Sequence, residues 1–202
     1  MITPLREPEP PLRVVPNNAE AEQDLLGAIL YDNRMLDYAE TLRPEHFYHS
    51  VHGRIFETMR KFIDRGHVAD AVTLKPFFDQ DPALATLGGA RYLGQLNGAG
   101  VLRAHRVEIE QLAHAVYDCW QRRELIVLHE EGAAAAYRYD PDDPALEQIE
   151  RAEGGLRRLA ESGQTGAGFQ VPPMNPNFLE TEAFQKGAAC RVLREHSAGE
   201  LM

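Results

Sequence analysis

His46, His49 and His52 recur every three residues, and imidazole nitrogens in such a series are candidate metal ligands. The local pattern argues for another use. His46 and His49 straddle a turn and a helix start, so they need not share a face with His52. No Cys or carboxylate stands at a spacing that completes a tetrahedral set, and His52 falls on an apolar stripe. We read all three as packing or surface histidines. Cys119 lies mid-helix beside Trp120. A nucleophilic thiol requires a base or another neighbour that lowers its pKa. None is identifiable, so the expectation is a packed thiol. Gly163-Gln164-Thr165-Gly166-Ala167-Gly168 is glycine-rich but lacks the Lys-Ser/Thr pair of a phosphate-binding loop, and it does not stand between a strand and a helix. We read it as linker. No Walker A sequence occurs in the chain, and a nucleotide hydrolase of that class depends on those phosphate contacts. Arg122-Arg123, with Arg103, His105 and Arg106 upstream, offer cations to nucleic acid or an acidic partner. Glu108, Glu110, Asp118 and Glu124 are interleaved with them, which is the pattern of a solvated helix face. The residues therefore give no catalytic, cofactor-binding or metal set.

Composition narrows the class. The chain has 202 residues and a formal net charge of −10. An acidic balance counts against a dedicated DNA-binding module, whose affinity rests on Lys and Arg neutralising phosphates, so DNA contact is expected to be weak or indirect. Two cysteines far apart, Cys119 and Cys190, make no disulfide framework and suit a reducing compartment. Met1 to Pro16 is rich in Pro and Glu and lacks the apolar core of a signal peptide. No run approaches the ~18 apolar residues of a transmembrane helix. The expected location is the cytoplasm, with no membrane partner.

The elements available to position these residues are helices. Residues 1–16 read as a disordered or extended arm. A first helix starts at Asn17 or Asn18, where Asn17 and Glu20 resemble a capping box, and it buries Ala21, Leu25, Leu26, Ile29 and Leu30. Met35 to Leu42 form a second, short helix. Tyr48, His52, Ile55, Phe56, Met59 and Phe62 mark an amphipathic helix that ends near Gly66. Thr73 is the expected N-cap of a helix from Leu74 to Gln80. Leu87, Tyr92, Leu93 and Leu96 supply another apolar set, and Gly98-Ala99-Gly100 reads as a loop. Val107 to Tyr137 then holds no Pro and a helical apolar period. As one helix it is roughly 45 Å long at about 1.5 Å per residue. After a turn around Asp140-Pro141, Asp143 is the expected N-cap and Pro144 the first residue of a return helix to Ser162, with Gly163 its stop. Leu146, Ile149, Ala152, Leu156 and Leu159 form its stripe, which Gly154-Gly155 interrupts. Ala183 to Leu193 has the pattern of a weak helix. The expected fold is all-α: a helical head over 17–104, a long antiparallel helical hairpin over 105–162, and a linker and tail over 163–202.

A family resemblance goes further. Pro16-Asn17-Asn18-Ala19-Glu20-Ala21-Glu22-Gln23, continuing Leu25-Leu26-Gly27-Ala28-Ile29-Leu30, resembles the opening of DnaB-type replicative DNA helicases. Arg43-Pro44-Glu45-His46-Phe47-Tyr48, His52 and Ile55-Phe56 follow in the family's order. So do Ala71-Val72-Thr73-Leu74 and Gly88-Gly89 with Tyr92-Leu93 and Leu96. Val116-Tyr117-Asp118, Arg122 to Ile126 and Ala136-Tyr137 resemble its hairpin. Ala152-Glu153, Leu156 and Leu159-Ala160-Glu161 resemble its second arm. The ordered series runs from about Pro16 to Gln170 and is specific, although each piece alone is weak.

The resemblance implies an N-terminal domain in which hairpins pair between subunits, form a collar on a ring and contact primase. Unwinding, with ATP and magnesium, belongs in that family to a separate C-terminal RecA-like motor. From Val171 to Met202 the family pattern is lost. The expected chain is thus non-catalytic alone. It is a natural short homologue, a truncated or frame-disrupted helicase, or an excised domain. Its expected partners are itself, primase and a full-length replicative helicase. Two alternatives stay open: a regulatory protein that joins or poisons a full-length ring, and an inert remnant. A two-helix hairpin cannot bury all its apolar surface internally, and Trp is a favoured anchor at contacts. Val116, Trp120, Arg123, Leu128, Leu146, Ile149 and Leu156 are therefore the candidate interface residues.

Overall fold

Asn18 opens the first helix. Its side-chain oxygen accepts the Ala21 N–H at 3.0 Å and so satisfies one of the amides that a helix start leaves unpaired. The neighbouring Asn17 donates to the Val15 carbonyl instead, so the cap is one residue later than the expected Asn17–Glu20 box. The computed structural model describes residues 14–100, 105–138 and 140–162, without the side chains of 99 and 100. The chain divides into two units, Met1–Ser162 and Gly163–Met202. The second lies outside the described residues, and with it the expected glycine-rich linker, the Gly163 stop and the weak helix at Ala183–Leu193. Most of the expected N-terminal arm, residues 1–13, lies outside them as well.

The described elements are helical, with no strand among them: α1 (Ala19–Tyr31), α2 (Ser50–Ile63), α3 (Lys75–Phe78), α4 (Pro82–Thr86), α5 (Arg91–Gly100), α6 (Arg106–Ala136) and α7 (Ala145–Ser162). Two 3-10 segments, Asn33–Ala39 and Pro44–His46, connect α1 to α2. The first replaces the expected short α-helix, and Asp32 caps it by accepting the Arg34 N–H. The centre of the head is α1. Every residue from Leu25 to Leu30 is buried, because α5 lies along one side of the helix and α2, α6 and the first 3-10 segment cover the rest. Phe56, Ile55 and Met59 of α2, Leu93 of α5 and Ile109 of α6 complete the core.

Three local features depart from the sequence reading. Thr73 does not cap a helix: its hydroxyl lies 2.9 Å from the Val68 carbonyl and accepts the Asp70 N–H, while α3 is only one turn and follows Leu74. Gly98 to Gly100 continue α5 rather than forming a loop. Asp143 spends its carboxylate on Arg151 at 2.6 Å, and Pro144 supplies the carbonyl that accepts the first helical N–H, so α7 starts at Ala145. One close approach explains a glycine inside α2. A Cβ on Gly53 would run into the Pro44 carbonyl oxygen, so only Gly lets α2 lie against the Pro44 turn.

Candidate assembly interface

The head and the hairpin share α6. Its first turns are anchored in the core through Ile109, Ala113 and Val116, and after Val116 no described residue of α6 is buried. At about 1.5 Å per residue, roughly 20 Å of the helix, from Glu124 to Ala136, lies past Arg123, where it last bonds to the head. There it packs against α7. The Tyr117 hydroxyl donates to Ser162 Oγ at 3.0 Å, at the base of the hairpin.

The arms lie close where α7 turns Ala152 and Gly155 inward. Gln148, Ala152, Gly155 and Leu159 form a covered row, with Gly154 also partly covered, and Gly155 is the one buried residue of the helix. A Cβ on Gly155 would sit 2.6 Å from Leu128 Cδ1. Gly155, one of the two glycines within the α7 stripe, is therefore the point of closest approach, and α7 runs unbroken through it. The consequence lies on another face. Leu146, Ile149 and Leu156 centre about 100° round the helix from that inward row, counted at 3.6 residues per turn. They are 67%, 62% and 43% exposed.

The seven candidate interface residues thus fall into different environments. Val116 is 1% exposed and belongs to the head core, which withdraws it from any surface. Trp120 and Arg123 brace the hairpin against the head. Trp120 stacks obliquely on His46 with ring centroids 4.4 Å apart and on Tyr117 at 5.1 Å. Arg123 donates to the His46 carbonyl at 2.7 Å and the Pro16 carbonyl at 3.1 Å, with its guanidinium over the Tyr48 ring. Leu128 packs between the arms. Only Leu146, Ile149 and Leu156 project outward. Leu125, Ile126 and Val127, absent from the candidate set, are also exposed, at 39%, 40% and 47%. Their signal was present: three consecutive apolar residues cannot all face one partner helix.

Behind this surface, the histidines organise the head. His46 is buried, and its Nδ1 accepts the Arg43 N–H at 3.0 Å. Burial holds its pKa down to about 4, with Arg43 and Arg123 acting in the same direction against Glu45. His52 is buried between Glu22 and Tyr92: Nδ1 lies 2.6 Å from Glu22 Oε2 and Nε2 lies 2.7 Å from the Tyr92 hydroxyl. Glu22 also accepts the Tyr48 N–H at 2.6 Å, and Gln23 donates to Tyr92 at 3.1 Å. With His52 as the neutral Nδ1–H tautomer, every donor meets an acceptor: Gln23 to Tyr92, Tyr92 to His52, His52 to Glu22. Burial raises the Tyr92 pKa, which keeps the hydroxyl proton in place. The chain of bonds ties α1, α2 and α5 together. The two histidines point at different partners, and no group of three or more His, Cys, Asp or Glu able to hold a metal occurs among the described residues. Cys119 is partly buried, and burial pushes its thiol pKa up, away from thiolate reactivity.

The fold and this surface define a class: an all-helical domain whose head carries a long two-helix hairpin with exposed apolar residues, Leu146, Ile149 and Leu156, around Glu153 on its outer face. Comparison with known proteins gives the particular family. Its description, DnaB-like helicase N terminal domain, matches residues 14–118, and the chain belongs to that family. The chain is 36% identical over 158 residues to Replicative DNA helicase DnaB of Rickettsia conorii, covering 78% of this chain and 31% of the relative. It is 35% identical to the protein of the same name from Geobacillus stearothermophilus, over 75% of this chain and 33% of the relative. Among solved structures, the N-terminal domain of DnaB helicase from Mycobacterium tuberculosis is similar, with a TM-score of 0.62 and 26% identity, over 72% of this chain and 99% of that one. The chain thus spans about a third of the length of these curated relatives. No helix among the described residues is long and apolar enough to cross a membrane.

Proposed function

We propose that this chain is an assembly domain of the replicative helicase type. It pairs with copies of itself, or with a full-length helicase, through the hairpin, and presents the paired domains to primase in the cytoplasm. The observation that carries this reading is the outward row on α7. Leu146, Ile149 and Leu156 stand exposed off the covered row of α7, with Leu125, Ile126 and Val127 exposed on the neighbouring arm. Apolar side chains arranged along a projecting element gain by leaving water together. The relatives' name, replicative DNA helicase, supplies the context. On this reading the chain carries no catalytic group. ATP, magnesium and unwinding belong to the part of the relatives outside the matched third, and DNA contact is weak or indirect.

Mixing the labelled chain with the full-length replicative helicase of the same cell, and separately with primase, tests this by co-migration in size-exclusion chromatography. The reading predicts joint elution that Leu146→Asp/Ile149→Asp abolishes for the helicase. Separate elution from both proteins, or magnesium-dependent ATP hydrolysis by the purified chain, would overturn it.

A further inference from the structure

On the head, the C-terminal end of α2 and the segment leading to α3 enclose a groove of about 720 Å³. Its apolar surface is Phe62, Val68 and Phe77. Phe62 and Phe77 meet edge to face with centroids 5.1 Å apart, and Val68 and Phe77 are 64% and 60% exposed. Lys61, Arg65 and His67 also line it, and no carboxylate does. That is a local reversal on a chain whose net charge is −10. Asp64 stands exposed beside Arg65 but does not line the groove, and two acids of the following segment are committed elsewhere. Asp70 accepts the Val72 and Thr73 N–H groups, and Asp79 pairs with Lys75 at 3.6 Å. Lys61 holds Glu57, whereas Arg65 and His67 have no ion-pair partner among the described residues.

The walls are built before any ligand arrives. Gly66, at φ 75°, ends α2 in a paired cap in which the Gly66 N–H bonds to the Ile63 carbonyl and the His67 N–H to the Phe62 carbonyl. Asn33 then clamps the following segment, donating to the Ala69 carbonyl and accepting its N–H. Preformed walls lower the ordering cost of binding. Most of the lining residues are themselves exposed, with Phe62 and Thr58 half-buried, so the groove is too open to enclose a small molecule, which needs most of its surface covered.

We infer that this groove is a second docking site, separate from the hairpin, for an acidic peptide segment of another protein. An aromatic or large aliphatic side chain would enter between Phe62, Val68 and Phe77, with flanking carboxylates on Arg65, Lys61 and His67. The test is selection from a displayed random-peptide library on the full chain, followed by titration of the best synthetic peptide. Two surface variants, Lys61→Glu/Arg65→Glu and Phe77→Ser, are titrated in parallel. Selected peptides should combine an aromatic or large aliphatic residue with two or more carboxylates. Each variant should weaken binding by about tenfold or more, with the charge variant also losing the salt dependence. Self-association through the hairpin should be unaltered in both variants, which separates this site from the proposed assembly function. Selected peptides without carboxylates, or acidic peptides that bind both variants normally, would overturn the inference. So would competition by single-stranded oligonucleotide at the same site, or a changed self-association mass in the charge variant, which would make the occupant a second copy.

Discussion

His46 has a folded pKa of about 4 against an ordinary value of 6.5, because burial disfavours its cation. Between those values the unfolded chain binds a proton that the folded chain does not. Stability from this residue is complete above about pH 6.5 and is lost progressively as pH falls towards 4. His46→Asn keeps an acceptor near the Arg43 N–H but cannot titrate. Urea midpoints taken from pH 7 to pH 4 should therefore fall less steeply for the variant, whatever its absolute stability. The network around His52 makes a second demand. Tyr92→Phe removes a hydroxyl that links Gln23 to a buried imidazole, and an orphaned buried polar group costs about 1–3 kcal/mol. Chemical denaturation should show a loss of that size, and an unchanged midpoint would contradict the bonding pattern. Sequence reading took these histidines as packing or surface residues, from the turn and the apolar stripe. It could not find the Glu22 link, because Glu22 and His52 are 30 positions apart and nothing local pairs them.

Among the elements, the long helix was legible because Val107 to Tyr137 lacks breakers, and α6 occupies almost that span. The short elements were not. Thr73 has the chemistry of a cap, yet Asp70 and Val68 claim its hydroxyl, and a loop network won over a helix start. The glycines in α7 were misleading in the opposite way, since intrinsic propensity counts against them while close approach to Leu128 requires one. That contact gives a signed prediction. Gly155→Ala should stabilise by about 1 kcal/mol in a Leu128→Ala background, where only helix propensity is felt. In the otherwise native chain the new methyl meets Leu128, so the same substitution should gain less or destabilise. Denaturation of the two singles and the double measures the coupling; equal effects in both backgrounds would remove Gly155 as the contact point. At Gly53 the obstacle is the backbone of Pro44, which cannot rotate away, and Gly53→Ala should cost about 1–3 kcal/mol or more in the same assay.

The whole described unit is a well-packed head with a thinly packed extension. Its core can be traced from Leu25 through Phe56 to Val116, whereas the hairpin beyond holds a single buried position, Gly155. The sequence indicated a hairpin in search of a partner but ranked its residues by type, so Val116, Trp120 and Arg123 were grouped with the outward leucines. Only the angular offset between the inward row and Leu146, Ile149 and Leu156 separates internal packing from available surface, and that offset depends on which face Gly155 presents. The central claim is that this outer face joins copies of the domain. Sedimentation equilibrium of the purified chain over a wide concentration range, beside Leu146→Asp/Ile149→Asp, tests it most directly. The account predicts a native chain that associates to a dimer or larger species, and a variant that sediments as a monomer with an undiminished melting temperature. A native chain that remains monomeric at every concentration, or a variant that associates as the native chain does, would contradict it.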